Sequence, residues 1–521
     1  MGLTANGDHG VKAYIKHKYS RAARTYASLG DIRQATKTSR NNVVVALDGN
    51  VLMMQVPQKA ATFSAYTGIV TNAIRSAMGS AAVVVVVFDD PAYMTAAKRE
   101  EQTRRDAARK KTEPVCSVDL FPYPTDDNYG IAELTGTTDC HAIVKCRASR
   151  QRFFDETGRQ ILLNLKKSIA SWAQGGAEST VIFDGLDPRG AQRPYGEPRE
   201  TQIYGSNETI AALFQRDEHM GEGDLKLAWV EQRARELAES GDLEAKLHMT
   251  VTIDTDSIAI ELMEEARRRC GPEPDRPVMG VLCMRERQNK RDAWDDDPGA
   301  VYWAVDYASL FELIQNDLWG LRKQPSHDEA RMATALMCAG WALAGCDFCK
   351  VAGLNADMVM QALPSYLHTA PGLLGLMPRA WSGDREAAKG ITDALRRLVL
   401  LCAGNYGDQP RARKATVENM RNHDNLTLLR ACWTTAYWSK HEFRGDLSDF
   451  GFTAIYDGQY SAAKAPKKQK AEEAKEPKEL NQDEPPPSVV SKYFSKDARA
   501  QDRVEKRGTI RALSELAWSP A

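Results

Sequence analysis

Runs of continuously apolar, β-branched residues, several of them closing on an aspartate, constrain this chain more than any other feature. They are NNVVVALD, AAVVVVVFD, STVIFD, HMTVTID, PVMGVLCM and AVYWAVD. A strand with one wet face alternates apolar and polar residues. An unbroken apolar run needs cover on both faces and so belongs to a mostly parallel sheet. Between the runs, TGIVTNAIRSAMGS, GRQILLNLKKSIASWAQ and DLKLAWVEQRARELAESG place apolar residues at helical spacing. Strand and helix alternating in this way predict an α/β fold, a mostly parallel sheet flanked by helices. Such sheets bind ligands outside the carboxyl ends of their strands. Asp48, Asp89 with Asp90, and Asp254 fall at those ends.

The pattern changes along the chain. From about Asp328 onward it is almost purely helical (EARMATALMCAGWALAG, EAAKGITDALRRLVLLCAG, NLTLLRACWTTAYWSKHEF), which predicts a helical C-terminal half. After about Tyr460 the composition turns to Lys, Glu, Pro and Ala with few large apolar residues. Such a stretch cannot bury a core and is expected to be disordered. The expected organisation is a sheet-forming region over 1–112 and a long irregular insertion over 113–215. A second sheet-forming region over 216–365, a helical part over 366–460 and a tail over 461–521 complete it. A net charge of −1 provides no global field for polyanions, so any nucleic-acid surface must be a local basic patch. The ten cysteines have no framework spacing and no apolar N-terminal stretch precedes them, which predicts reduced thiols and an intracellular protein. The Cys346/Cys349 pair lacks further ligands at zinc spacing and is read as packing. No run reaches the length of a membrane span.

Further carboxylates join those at the strand ends. Glu222 and Asp224 lie in MGEGDLKLA, where flanking glycines and the amphipathic stretch that follows predict a loop entering a helix N-terminus. Asp254 and Asp256 are two apart in TIDTDSIAI, and Asp347 follows a glycine-marked turn in AGCDFCK. Taken singly, each is explained as a helix cap or turn former. Converging at one sheet edge, they would repel one another unless cations held them. Two Mg²⁺ ions about 4 Å apart, with Mn²⁺ able to substitute, activate a water and stabilise the leaving oxygen of a phosphodiester. Downstream of Asp89, the helical stretch KREEQTRRDAARKK carries Lys98, Arg104 and Arg105, a charge set suited to neutralising phosphate.

These blocks resemble, in order, those of the flap endonuclease/XPG-type 5′-nuclease superfamily, with some features of Xrn-type 5′→3′ exoribonucleases. The blocks are MGL, ALDGN, VVVFDDPAYMTAAKREEQTRRD, MGEGDLKLA, TIDTDSIAI and AGCDFCKVAGLN, spanning about residues 1 to 365. The resemblance implies a PIN-like fold and a metal ring of Asp48, Asp89, Glu222, Asp224, Asp254, Asp256 and Asp347. It also places Lys98, Arg104 and Arg105 on the scissile phosphate and Gly2 at the active site. Asp90 stands where the family has glycine. VAGLNADMVMQAL is similar to the family's K⁺-binding, duplex-gripping helix–turn–helix; it keeps Gly353 but has Asn355 in place of the second glycine. The implied activity is Mg²⁺-dependent cleavage of flapped or branched DNA in replication or repair. The alternatives are an exoribonuclease and a non-catalytic nucleic-acid-binding relative.

The tail suggests a partner. Val490, Tyr493 and Phe494 in PSVVSKYFSK have the spacing of a sliding-clamp binding box, with Pro487 where such boxes carry Gln. KAPKKQK has the composition of a nuclear import signal. No phosphate-binding glycine loop with a following Lys-Ser or Lys-Thr is present, and no serine-hydrolase nucleophile elbow.

Overall fold

The computed structural model describes residues 10–55, 60, 62–90, 140–145, 147–172, 179–193, 197–217, 220–269, 278–287, 300–320, 324–346, 354–369, 375–405 and 425–439. The chain divides into two compact units: Lys12–Arg331 with Trp438–Lys440, and Met1–Val11 with Met332–Tyr437 and His441–Ala521.

The first unit is an eight-stranded mixed sheet in the order β1-β8-β7-β6-β2-β3-β4-β5. Its strands are β1 (Ala23–Tyr26), β2 (Val43–Asp48), β3 (Val83–Val87), β4 (Thr180–Leu186), β5 (Gln202–Gly205), β6 (Leu247–Thr252), β7 (Met279–Arg287) and β8 (Ala300–Asp306). The five central strands β7, β6, β2, β3 and β4 run parallel. Antiparallel pairs β4–β5, β7–β8 and β8–β1 form the two edges. The expected α/β architecture, with a mostly parallel sheet flanked by helices, is therefore present.

Both faces of the sheet are covered, which is why its strands read as unbroken apolar runs. Helices α1 (Val11–Lys18), α2 (Leu29–Ala35), α3 (Gly49–Gln55), α4 (Phe63–Met78), α5 (Cys140–Lys145) and α6 (Arg147–Trp172) lie along the first half of the unit. On one face Val45, Leu47, Val84, Val86, Val181 and Met249 pack with residues of α3, α4 and α6. On the other, Val44, Ala46, Val85, Val87 and Ile182 meet α7 (Glu208–Leu213) and α8 (Gly223–Ser240). Two further helices, α9 (Asp256–Arg269) and α10 (Tyr307–Trp319), follow β6 and β8.

The stretch 113–215, expected as an irregular insertion, is in its described part a component of the sheet unit. Residues 140–213 supply α6, β4 and β5, and β4 pairs in register with β3 from Val83↔Thr180 to Val87↔Asp184.

In the second unit every described element is helical, as expected. These are the C-terminal part of α11 (His327–Ala344), then α12 (Ala356–Thr369), α13 (Leu376–Trp381), α14 (Arg385–Asn405) and α15 (Asn425–Ser439). The Tyr366 hydroxyl donates to Ala394 O (2.9 Å) and Trp381 Nε1 to Cys432 O (3.1 Å), tying α12 to α14 and α13 to α15.

Candidate active site

Strand order alone brings three of the expected carboxylates together. From β2 the sheet builds one way through β3 and β4, and the other way through β6 and β7, so chain direction switches between β2 and β6. Ligand crevices of open α/β sheets lie at such a switch, outside the carboxyl ends. Asp48 is the last residue of β2 and is level with Val87; its neighbour Leu47 is level with Val251. Asp89 and Asp254, each two residues past the end of its strand, emerge on either side of Asp48.

The hydrogen bonds show what each carboxylate does in the fold. Asp48 Oδ1 accepts from Val51 N (3.0 Å), capping the start of α3, and Oδ2 accepts from the Thr252 hydroxyl (3.1 Å). Thr252 Oγ1 accepts in turn from Asp254 N (3.1 Å). Asp254 Oδ1 accepts from Asp256 N (3.0 Å), opening α9, and Asp89 Oδ1 accepts from Gly223 N (2.8 Å), at the start of α8. The capping role that each residue could have by itself is thus realised with one oxygen. Among the described residues no donor is bonded to Asp89 Oδ2 or Asp254 Oδ2, and no Lys or Arg pairs with Asp48, Asp89 or Asp254.

The electrostatics follow from this crowding. Burial, with the charges of Asp89 and Asp254 close by, lifts the Asp48 carboxyl to about 7, against the bonds from Val51 and Thr252. A proton or a cation is the means by which such a group is accommodated at neutral pH. The set consists of hard oxygens, the donor type that Mg²⁺ and Mn²⁺ take. Among the described residues no three His, Cys, Asp or Glu side chains are already gathered as a ligand set.

Glu222 and Asp224 lie at the start of α8, as expected from their glycines. Glu222 is the N-cap residue and is buried; Asp224 is in the first turn and accepts from the Ser257 hydroxyl (3.0 Å), joining the starts of α8 and α9. Asp256 is the first residue of α9 and is buried. At Gly223 a Cβ would lie 3.1 Å from Asp89 Oδ1, so the glycine permits the close approach that the Gly223–Asp89 bond requires.

The sequence reading missed a second set of groups beside the first. Asp184, on β4, pairs with Lys226 (3.1 Å) and with Arg216, whose Nη2 lies 2.8 Å from Oδ1. Burial alone would raise its carboxyl, but Lys226 and Arg216 outweigh that and hold it below the ordinary value; burial likewise lowers Lys226. Asp155 receives a two-nitrogen fork from Arg199, and Arg189 forks onto Asp187. Asp90, an unassigned extra charge in the sequence, belongs to this set. It is 3% exposed, accepts from the Thr201 hydroxyl and lies 3.7 Å from Arg199. A cavity of about 220 Å³ opens among Asp90, Asp184, Thr201, Gln215, Arg216 and Lys226.

In the second unit Asn355 is 3% exposed and its Oδ1 accepts from Met358 N (2.9 Å), so its side chain caps α12. Gly2, Lys98, Arg104, Arg105, Asp347, Gly353, Val490, Tyr493 and Phe494 lie outside the described residues, as does the tail 461–521. In comparison with known proteins, no family model and no curated protein matches the chain. No helix among the described residues is long and apolar enough to cross a membrane.

Proposed function

We propose that the chain is a divalent-cation-dependent 5′-nuclease of PIN-like architecture, hydrolysing phosphodiesters of flapped or branched DNA. The observation that carries the reading is the delivery of Asp48, Asp89 and Asp254 to one switch point by three adjacent parallel strands, with no basic partner among the described residues. A structural carboxylate cluster in a fold interior is paired with arginine or lysine, as Asp155, Asp184 and Asp187 are. A cluster left without such partners fits a cationic ligand.

Asp48, Asp89 and Asp254 would hold the cation, with Glu222, Asp224 and Asp256 at the adjoining helix starts. A pair of Mg²⁺ ions bound there supplies an activated water and neutralises the leaving oxygen. The chain's own contributions are orientation and proton control. Thr252 fixes one oxygen of Asp48 and the main chain of Asp254 through a single hydroxyl. Gly223 N aims Asp89, and Asp256 N aims Asp254. With its carboxyl raised to about 7, Asp48 would exchange its proton for a cation close to neutral pH. The basic stretch with Lys98, Arg104 and Arg105 follows Asp89 in the chain and is proposed to receive the phosphate.

The test compares the protein and an Asp254→Ala variant on labelled flap DNA and on 5′-phosphorylated RNA, with and without Mg²⁺. Mg²⁺-dependent cleavage of the flap by the wild type alone is the expected result. Cleavage of RNA only would move the substrate to the exoribonuclease class, and no cation-dependent cleavage of either would overturn the enzyme reading.

A further inference from the structure

The end of β3 is held at three successive residues by one short stretch, 221–226. Phe88 O accepts from Lys226 Nζ (2.7 Å), Asp89 Oδ1 accepts from Gly223 N (2.8 Å), and Asp90 N donates to Gly221 O (2.7 Å). Two of these bonds come from the main chain and need no particular side chain. The third needs an ammonium group, and Lys226 is 1% exposed.

Burying an ammonium costs several kcal/mol before its partners compensate, so its presence calls for a reason beyond filling space. Neutralising Asp184 is not sufficient, because Arg216 already forks onto both oxygens of that carboxylate. The additional bond that Lys226 makes is to the carbonyl of the peptide group joining Phe88 to Asp89. The opposing residue is shaped for this meeting. Gly185 has φ +95°, and a Cβ there would lie 2.6 Å from Lys226 Nζ and 2.7 Å from Phe88 O. Glycine at 185 therefore serves both the positive φ at the β4–β5 register shift and the space in which the ammonium reaches the carbonyl.

We propose that Lys226 is a positioning residue: it fixes the Phe88–Asp89 peptide, and through it the direction of the Asp89 carboxylate toward Asp48 and Asp254, and so sets the divalent-cation affinity of the ring. This rests on the nuclease reading for the use of the cation, and on the bonds at Phe88, Asp89 and Asp90 for the geometry. A group that orients a ligating carboxylate acts as an outer-shell partner, whose loss typically weakens cation binding ten- to a hundredfold.

The experiment titrates full-length protein with Mn²⁺, reading free ion by electron paramagnetic resonance, and measures the Mg²⁺ dependence of cleavage in parallel. Lys226→Met is compared with wild type and with Lys226→Met/Asp184→Asn, which removes one charge of each sign and so preserves the balance of the buried site. Both variants are expected to bind Mn²⁺ about ten- to a hundredfold more weakly. The Mg²⁺ concentration for half-maximal cleavage should rise by the same factor, with KM for nucleic acid unchanged and most of kcat regained at saturating Mg²⁺. If Lys226 only neutralised Asp184, the double variant would recover wild-type Mn²⁺ affinity, and that result overturns the proposal. A folded Lys226→Met protein with unchanged affinity overturns it too, as does a wild type that binds no Mn²⁺. Should Lys226→Met fail to fold, the double variant decides by the same criterion. A wild type whose Mn²⁺ affinity depends on Lys226 but which cleaves neither DNA nor RNA leaves this inference standing and removes the nuclease reading.

Discussion

Two groups of carboxylates stand side by side in this sheet and are treated in opposite ways. Asp155, Asp184 and Asp187 are each matched to arginine or lysine: Arg199, Lys226 with Arg216, and Arg189. Asp48, Asp89 and Asp254 have no such partner among the described residues, and what neighbours Asp48 is more negative charge. The sets are close in the fold, since Asp184 is level with Val87, two residues before Asp89. Each carboxylate of one cluster thus has a basic partner, while those of the adjacent cluster have none among the described residues. Compensation is what a structural cluster needs. That no such partner stands beside the second cluster among the described residues is what the proposed cation site rests on.

Substitutions should separate the two sets cleanly. Asp254→Ala or Asp89→Ala is expected to reduce Mg²⁺-dependent cleavage by about a thousandfold or more. Several kcal/mol of transition-state stabilisation depend on the ion, at 1.36 kcal/mol per tenfold. The melting temperature in EDTA should change little, because relief of charge repulsion offsets the helix-start bond lost with the side chain. Asp184→Ala should do the reverse. It leaves Lys226 and Arg216 buried without their counter-charge and should cost about 3–5 kcal/mol of stability by denaturant titration, with lost activity following the loss of fold. An Asp184 variant that is stable and inactive would erase the distinction between the sets.

The pH dependence sharpens the contrast. A carboxyl displaced upward in the fold binds its proton more tightly folded than unfolded. Stability therefore falls as pH rises from its ordinary value of 3.8 to about 7, and no further above that. In EDTA the protein should lose about 4 kcal/mol across that window from Asp48 alone. Asp48→Asn should flatten this slope, as calorimetry between pH 5 and pH 8 would read. Asp184 lies below its ordinary value, so its contribution is complete above pH 4 and is lost only as pH falls below that. Saturating Mg²⁺ should abolish the first slope and leave the acid limb of the second.

How much of this could be read from the sequence depended on how local each signal was. The apolar runs ending in Asp48, Asp89 and Asp254 announced both the covered strands and the strand-end carboxylates, because burial on two faces leaves a continuous pattern. Strands β1 and β5 passed unnoticed: they are four-residue edges, ARTY and QIYG, with half-wet faces and no periodicity to detect. The compensated cluster was equally invisible. Lys226 reads as one polar position of an amphipathic helix and Asp184 as one more aspartate closing an apolar run, STVIFD. They meet across 42 positions of sequence only because β3 pairs with β4 in one register. The GEGDLK stretch did signal its acidic residues, but nothing local distinguishes a lysine that reaches a carbonyl in the core from one that reaches water. Asn355 adds a role that the glycine pattern did not signal: its side chain caps α12.

The smallest effect tests whether the bare cluster is organised as a unit. Thr252 is 1% exposed, and its single hydroxyl gives a hydrogen bond to Asp48 Oδ2 and receives one from Asp254 N. Thr252→Val keeps the shape and removes both bonds. Stability should fall by about 2 kcal/mol, the net worth of two ordinary hydrogen bonds. The same bond lowers the Asp48 carboxyl against burial and against Asp89, so its loss should push that titration above 7. NMR of ¹³C-labelled aspartate carboxyls in EDTA would follow this directly. Cation binding requires Asp48 to give up its proton, so the pH at which Mn²⁺ affinity levels off should rise in step with the carboxyl. A Thr252→Val protein in which both midpoints stay at their wild-type values would mean that Asp48 and Asp254 are held independently, and that the switch point is two separate caps rather than one site.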